Sequence, residues 1–262
     1  MMSAQASATL PGTLKQHAIP LPVTRGAGMS AATGQSAPRC STCSRRFVCM
    51  PSELSPSEFE RLDAVVGATR TIRRGERLYR SGDRFQNLYA VRTGSFKTVV
   101  VHRDGAEQIT GFFVAGETVG LDGVSGAQHA CDAVALEDSS ACVIPFATLE
   151  TLCRDSLAMQ RHVYRIMSME IVKDGALVML LGTMSAEQRV AAFLLDLSDR
   201  VGSRGYPREE FVLRMTREEI GNYLGLKLET VSRMLSKFTR DKLVDTRAKR
   251  VRIVDFQGLA QV

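Results

Sequence analysis

The residues with the most reactive chemistry in this chain stand close together: CSTCSRRFVC, residues 40–49, places Cys40, Cys43 and Cys49 within ten positions. Thiols at that spacing can close a disulfide, hold a metal or react, and their surroundings decide which. Six cysteines in 262 residues do not make a disulfide-stapled scaffold, and a chain of this length can bury a sufficient core without one. No run approaches the roughly 18 apolar residues of a membrane span, and MMSAQASATLPGTLKQHAIPLPV lacks the basic start and apolar stretch of a secretory signal. The expected compartment is the cytoplasm, with no membrane partner, where clustered cysteines serve as metal ligands or reactive thiols. CxxCx5C offers three ligands, and a tetrahedral site needs a fourth from Cys131, Cys142 or Cys153. On the residues alone zinc, an iron–sulfur cluster and a metal-free thiol switch all stay open.

A second chemistry lies in the charge. Between Lys227 and Arg252 nine basic residues stand against three acidic ones, an excess equal to the whole chain's net +6. Such a patch is the electrostatic footprint of nucleic-acid binding. Within it, TREEIGNYLGLKLETVSRMLSKFTRDKL reads as two short helices about a tight turn. Thr216 and Glu219 form a capping box, Gly225 permits the turn, and Val231, Leu235 and Phe238 face inward at i, i+4 and i+7. The same period sends Glu229, Ser232, Arg233 and Ser236 outward. Arginine can grip guanine O6 and N7, glutamate can accept from the cytosine amino group, and serine can serve base or phosphate. Leu243-Val244-Asp245 and Val251-Arg252-Ile253-Val254 flank a basic turn, a β-wing able to touch the DNA backbone.

The elements that must position these residues follow from texture. Residues 1–38, rich in Ala, Ser, Gly, Thr and Pro, read as a disordered leader, and 39–68 as the cysteine-rich segment with a helix. Residues 69–148 hold short β-type runs separated by glycine turns, which predicts a β-roll. Residues 149–184 form a long helix region and 185–262 the DNA-binding domain, the second helix being capped by Ser185. In the long helix Met167, Asp174, Leu177, Leu181 and Met184 follow steps of 7, 3, 4 and 3, the spacing of a coiled-coil seam. Asp174 on that seam would face its own copy across a two-fold axis. The fold class is α+β.

Thr216-Arg217, Glu219-Ile220-Gly221, Leu224-Gly225 and Glu229-Thr230-Val231-Ser232-Arg233 resemble the helix-turn-helix of the CRP/FNR family of bacterial transcription regulators. The order of a cyclic-nucleotide-binding-like β-roll, long dimerisation helix and winged helix is also that family's, so the resemblance extends over nearly everything from residue 40. Gln108-Ile109-Thr110-Gly111-Phe112, Ile144-Pro145-Phe146 and Gly221-Asn222-Tyr223-Leu224-Gly225-Leu226 are similar to its oxygen-responsive branch.

The resemblance implies base-reading roles for Glu229, Ser232 and Arg233, and the apolar Leu228 leans toward that branch. It selects Cys142, just upstream of the Ile-Pro-Phe stretch, as the fourth ligand, and implies one [4Fe-4S] cluster per subunit on Cys40, Cys43, Cys49 and Cys142. Arg39, Arg45 and Arg46 would offset the cluster's charge. The implied protein is a homodimer that binds palindromic double-stranded DNA under low oxygen and contacts RNA polymerase. Oxygen would convert the cluster to [2Fe-2S] and then release it, with Asp174 making the cluster-free dimer marginal. Cyclic nucleotide is not expected, because GLDGVSGAQHACDA has Asp122 in place of the usual glutamate and no arginine occurs between Val119 and Ser139. Nor is enzyme activity: His17, His102, His129 and His162 stand singly, and neither a phosphate-binding glycine loop nor GxSxG occurs.

Overall fold

The computed structural model describes residues 39–51 and 53–262, and the leader expected over 1–38 lies outside them. Two helices, α1 (Arg46–Cys49) and α2 (Pro56–Val65), precede eight strands. These are β1 (Ala68–Ile72), β2 (Arg77–Tyr79), β3 (Asn87–Thr93), β4 (Ser95–Val101), β5 (Glu107–Val114), β6 (Thr118–Val119), β7 (Asp132–Ala135) and β8 (Ser139–Pro145). They build two four-stranded antiparallel sheets, ordered β1-β8-β3-β6 and β2-β7-β4-β5, which is the β-roll the glycine-punctuated runs predict. The β3–β4 turn requires glycine: Gly94 has φ 81°, and a Cβ there would lie 2.1 Å from Ser139 Oγ. Period-two alternation sorts β8 between two cores. Ala141 and Val143 pack inside the roll, while Cys142 and Ile144 face the cysteine segment, α2 and α3 (Phe146–Asp155).

The first long helix expected after the roll is two, α3 and α4 (Leu157–Thr183). Ser156 leaves helical geometry between them, and its hydroxyl accepts from the Met159 N–H. With neither proline nor glycine at that point, only the serine marks the break. The second expected helix, α5 (Ala186–Gly202), starts at Ser185 with a complete Ser185/Gln188 capping box.

The exposed seam on α4 also differs from the expected one. Met167, Leu177, Leu181 and Met184 are half-buried against their own chain, and Leu181 reaches the Gly225 turn. Tyr164, Ile171, Val172, Val178 and Met179 are instead exposed, at 56–72%. Asp174 is exposed, on the border of that stripe. Both faces satisfy three-and-four spacing because apolar residues occur on more than one side of α4, and docking of the rest of the chain decides which one is covered.

The C-terminal unit adds β9 (Glu210–Val212), α6 (Arg217–Leu224), α7 (Leu228–Arg240), β10 (Val244–Arg247), β11 (Arg250–Ile253) and α8 (Phe256–Ala260). Its sheet runs β10-β11-β9, a wing behind α6 and α7. The Thr216/Glu219 capping box is present, Gly225 has φ 63°, and Val231, Leu235 and Phe238 are 0–3% exposed. Roll and C-terminal unit share one core, in which Val99, Ile109, Phe112 and Leu136 join Phe193, Ile220 and Leu224.

Polar contacts lock that junction. The Asn222 side chain behaves like a strand partner for the edge of β5: its Oδ1 accepts from Ile109 N–H at 2.6 Å and its Nδ2 donates to Glu107 O at 2.8 Å. Lys97 pairs with Glu219 at 2.8 Å. Arg189 donates to the terminal carbonyls of two helices, Leu181 O of α4 at 2.7 Å and Leu224 O of α6 at 3.1 Å.

A largely buried ion cluster centres on Glu117, whose side chain is 17% exposed, in the turn after β5. Arg200 reaches its two oxygens at 2.9 and 2.6 Å, and Arg204 adds a bond at 2.8 Å. Burial alone would raise the Glu117 pKa, but Arg200 foremost, then Arg204 and Lys173, hold it at about 2. The folded pKa lies below the usual 4.5, so this stabilisation is complete above pH 4.5 and is lost as pH falls toward 2. Glu117→Ala leaves two largely buried guanidiniums without their anion and is expected to cost about 3–5 kcal/mol. Urea denaturation at neutral pH checks this, and coincident midpoints for variant and parent would refute it.

Candidate functional site

Cys40, Cys43, Cys49 and Cys142 line one cavity. Two successive turns bring in the first three: Cys43 N–H donates to Cys40 O, and Arg46 N–H donates to Cys43 O, opening α1. The Ser41 N–H and hydroxyl both donate to the Asp63 carboxylate on α2, which ties the loop to the helix. Cys142 arrives on β8, paired with Thr69 of β1 on one side and Ala90 of β3 on the other. Met50, Val66, Ala90, Val91 and Ile144 supply the apolar wall, and Arg45, Arg46 and Arg92 lie at the same cavity. All four expected ligands thus meet, although 93 positions separate Cys49 from Cys142.

Burial and the neighbouring cysteines push the thiols toward their neutral form. Desolvation, then Cys142, raises Cys40 to about 12, and desolvation, then Cys43, raises Cys49 to about 11. Cys142 is also raised by burial, against the pull of Arg92 and of the Thr69 hydroxyl. Arg45 and Arg204 favour the Cys49 thiolate. Of the cations expected from sequence Arg45 acts in this way, whereas Arg46 is engaged by Ser41 O at 2.6 Å and stacks over Phe47. Arg92 and Arg204 carried no sequence signal, since each reaches the cysteines only through the fold.

Sequence reasoning also passed over His162 as structural. Its Nε2 donates to Cys49 O at 3.0 Å while Nδ1 accepts from Arg165 at 2.9 Å. Burial lowers its pKa, so the ring is the neutral tautomer that these two bonds require. The remaining cysteines lie elsewhere. Cys131 is buried in the roll beside Tyr79 and Asp122, and Cys153 sits on α3 outside the four-cysteine cavity.

The second site is α7. Glu229, Arg233 and Ser236 are exposed and Ser232 is half-buried, so the outward face stands as the period places it. Among the described residues neither Glu229 nor Arg233 enters an ion pair, so the i, i+4 pair that would make them an ordinary surface couple does not form. On the wing Arg250 pairs with Glu210 at 2.9 Å.

Inside the roll, Asp122 is occupied by its own chain. Tyr79 donates to it at 3.0 Å and Ala130 N–H at 2.8 Å, while the Tyr79 ring stacks on His129 at 3.6 Å between centroids.

Comparisons with known proteins bear on the two domains. Residues 188–262 match the Crp-like helix-turn-helix domain, and residues 69–156 the cyclic nucleotide-binding domain. The chain is 45% identical to the transcriptional regulatory protein btr of Bordetella pertussis, over 86% of its own length and 93% of that protein. It is 40% identical to the fumarate and nitrate reduction regulatory protein of Yersinia pestis, over 88% and 92%. The structure of FixK2 from Bradyrhizobium japonicum superposes with a TM-score of 0.68 at 29% identity, covering 74% of this chain and 96% of that one. These relatives are regulators rather than enzymes, and the two-domain pattern, β-roll and helix-turn-helix are shared along the described chain. It belongs to the CRP/FNR family of bacterial transcription regulators and is a DNA-binding member of it.

Proposed function

We propose that this regulator responds to oxygen through an iron–sulfur cluster held by Cys40, Cys43, Cys49 and Cys142. The observation that carries the reading is the convergence of a strand cysteine with three loop cysteines on one apolar cavity bordered by arginines. The donor set fits the group: four thiolates match a [4Fe-4S] cluster, and Arg45 and Arg92 offset the negative charge. Among the described residues no three His, Cys, Asp or Glu side chains stand close enough to hold a metal ion as they are. When bound, the cluster supplies the oxygen-reactive centre. The chain's own part is to exclude water with Met50, Val66, Val91 and Ile144, to fix the Cys49 backbone through His162, and to hold the thiolate forms with cations. Cyclic nucleotide is not the signal in this reading, because the Asp122 region is already satisfied internally.

Purification without oxygen, with iron and sulfide assays and a visible spectrum before and after air, tests the reading. About four iron and four sulfide per chain are expected, with absorbance lost in air and absent in Cys142→Ser. A colourless protein with stoichiometric zinc would overturn it.

For DNA, α7 enters the major groove and Arg233 reads a guanine in each half of a palindrome, with two copies of the chain paired along α4. Arg233→Ala should weaken binding to the preferred site by about 1–3 kcal/mol and relax choice at one base pair. If the loss is equal for every sequence, Arg233 is a phosphate contact and not a reader.

Asp174, at the border of the exposed α4 stripe, opposes pairing by like-charge repulsion, so Asp174→Ala is expected to dimerise without the cluster. A monomer by light scattering in air would end that account. RNA polymerase is the proposed protein partner.

A further inference from the structure

The fourth cysteine has a polar neighbour that the fold leaves without a task. Thr69 on β1 pairs directly with Cys142 on β8, so their side chains stand on the same face of the sheet. On the other side of Cys142 the paired residue is Ala90, which has nothing to donate. Thr69 Oγ1 is buried and makes no hydrogen bond of normal geometry, the one side-chain nitrogen or oxygen in that condition among the described residues; its pull on Cys142 comes from proximity and not from a formed bond. A buried hydroxyl without a partner is unfavourable, and valine would fill the same space and suit the strand equally well. The hydroxyl stands beside the Cys142 side chain, and a ligand thiolate is a strong acceptor for it.

We propose that Thr69 is a positioning residue for the fourth ligand: its hydroxyl donates a hydrogen bond to the Cys142 thiolate when the cluster is bound. This rests on the cluster reading above. The same atom is then without a hydrogen bond in the cluster-free protein and satisfied in the loaded one, and that difference favours the loaded state. Hydrogen bonds to ligand sulfurs tune clusters of this kind, and losing an outer partner of a metal ligand costs about 10–100-fold in affinity.

The test compares the full chain with Thr69→Val and Thr69→Ser, each loaded anaerobically and assayed for iron and sulfide. A ferrous chelator is then added without oxygen and the loss of visible absorbance is timed. Thr69→Val should release the cluster about tenfold faster than the parent, at the lower end of that range, and Thr69→Ser should restore retention. In the cluster-free proteins the order should reverse, with Thr69→Val melting no lower than the parent. A purely structural threonine would move both readouts the same way. Equal release rates in a normally loaded valine variant, or a lower melting point for its cluster-free form, would overturn the role of Thr69 alone. A parent that takes up no iron and sulfide would overturn the cluster reading and Thr69 with it.

Discussion

The buried carboxylate of Glu117 is the point on which three parts of the molecule depend. It sits in the turn after β5, it accepts from Val114 N–H at 2.8 Å, and it binds Arg200 of α5 and Arg204 in the turn that follows that helix. Arg204 donates as well to Ala115 O at 2.8 Å, so the guanidinium is held by backbone and side chain together. Beside it, a Cβ on Gly116 would lie 2.5 Å from Val48 Cγ1, which brings the cysteine loop onto the same turn. An isolated carboxylate could not remain ionised there. It does so because the helix that opens the DNA-binding unit supplies its countercharge.

The geometry of both sites follows from that junction. Arg204 contributes to the field at Cys49 and to the anchoring of α5, so the electrostatics of the cysteine cavity and the placement of the DNA-binding unit share a side chain. Lys173 lies 4.3 Å over the Phe113 ring and adds its charge to the Glu117 surroundings, which brings α4 into the same arrangement. Elsewhere on the same sheet, Asn222 attaches α6 to β5 and Glu219 attaches it to Lys97 of β4. Gln108–Phe112 and Gly221–Leu226, which stood out separately in the sequence, are the two sides of this contact. A change at either stretch alone would leave backbone groups at a sheet edge unpaired.

Local signals were legible and non-local ones were not. The helix-turn-helix could be read almost residue by residue, because a capping box, an αL glycine and a 3.6-residue period all act within one or two turns of chain. The roll was visible as strands and turns, though not as a pairing order. The α3–α4 break was hidden because Ser156 works as a cap without proline or glycine to announce it. The exposed seam of α4 could not be chosen, since two faces of one apolar helix carry equivalent spacing. In the cavity, three cysteines were evident from spacing while the fourth came through family resemblance, and spacing is silent on Arg92, Arg204 and His162. Those residues act across 40 to 160 positions of chain, a range at which no periodicity connects one residue to another.

Why Cys142 can reach the other three cysteines at all is a matter of strand register. On β8 the inward residues Ala141 and Val143 belong to the interior of the roll, and the outward Cys142 and Ile144 to the core that includes the cysteine segment. A slip of one residue would turn Cys142 into the roll and put Ala141 or Val143 at the cavity. Pairing with both β1 and β3 prevents this, since Thr69 and Ala90 flank Cys142 in the same sheet. The Gly94 turn adds a steric lock, because Ser139 occupies the space a side chain there would need. Cys142 thus stands on the outer face of one sheet of the roll, where the cysteine segment packs. Inside the roll Tyr79 stacks on His129 and donates to Asp122, so these groups are engaged with one another and not with the cysteine cavity.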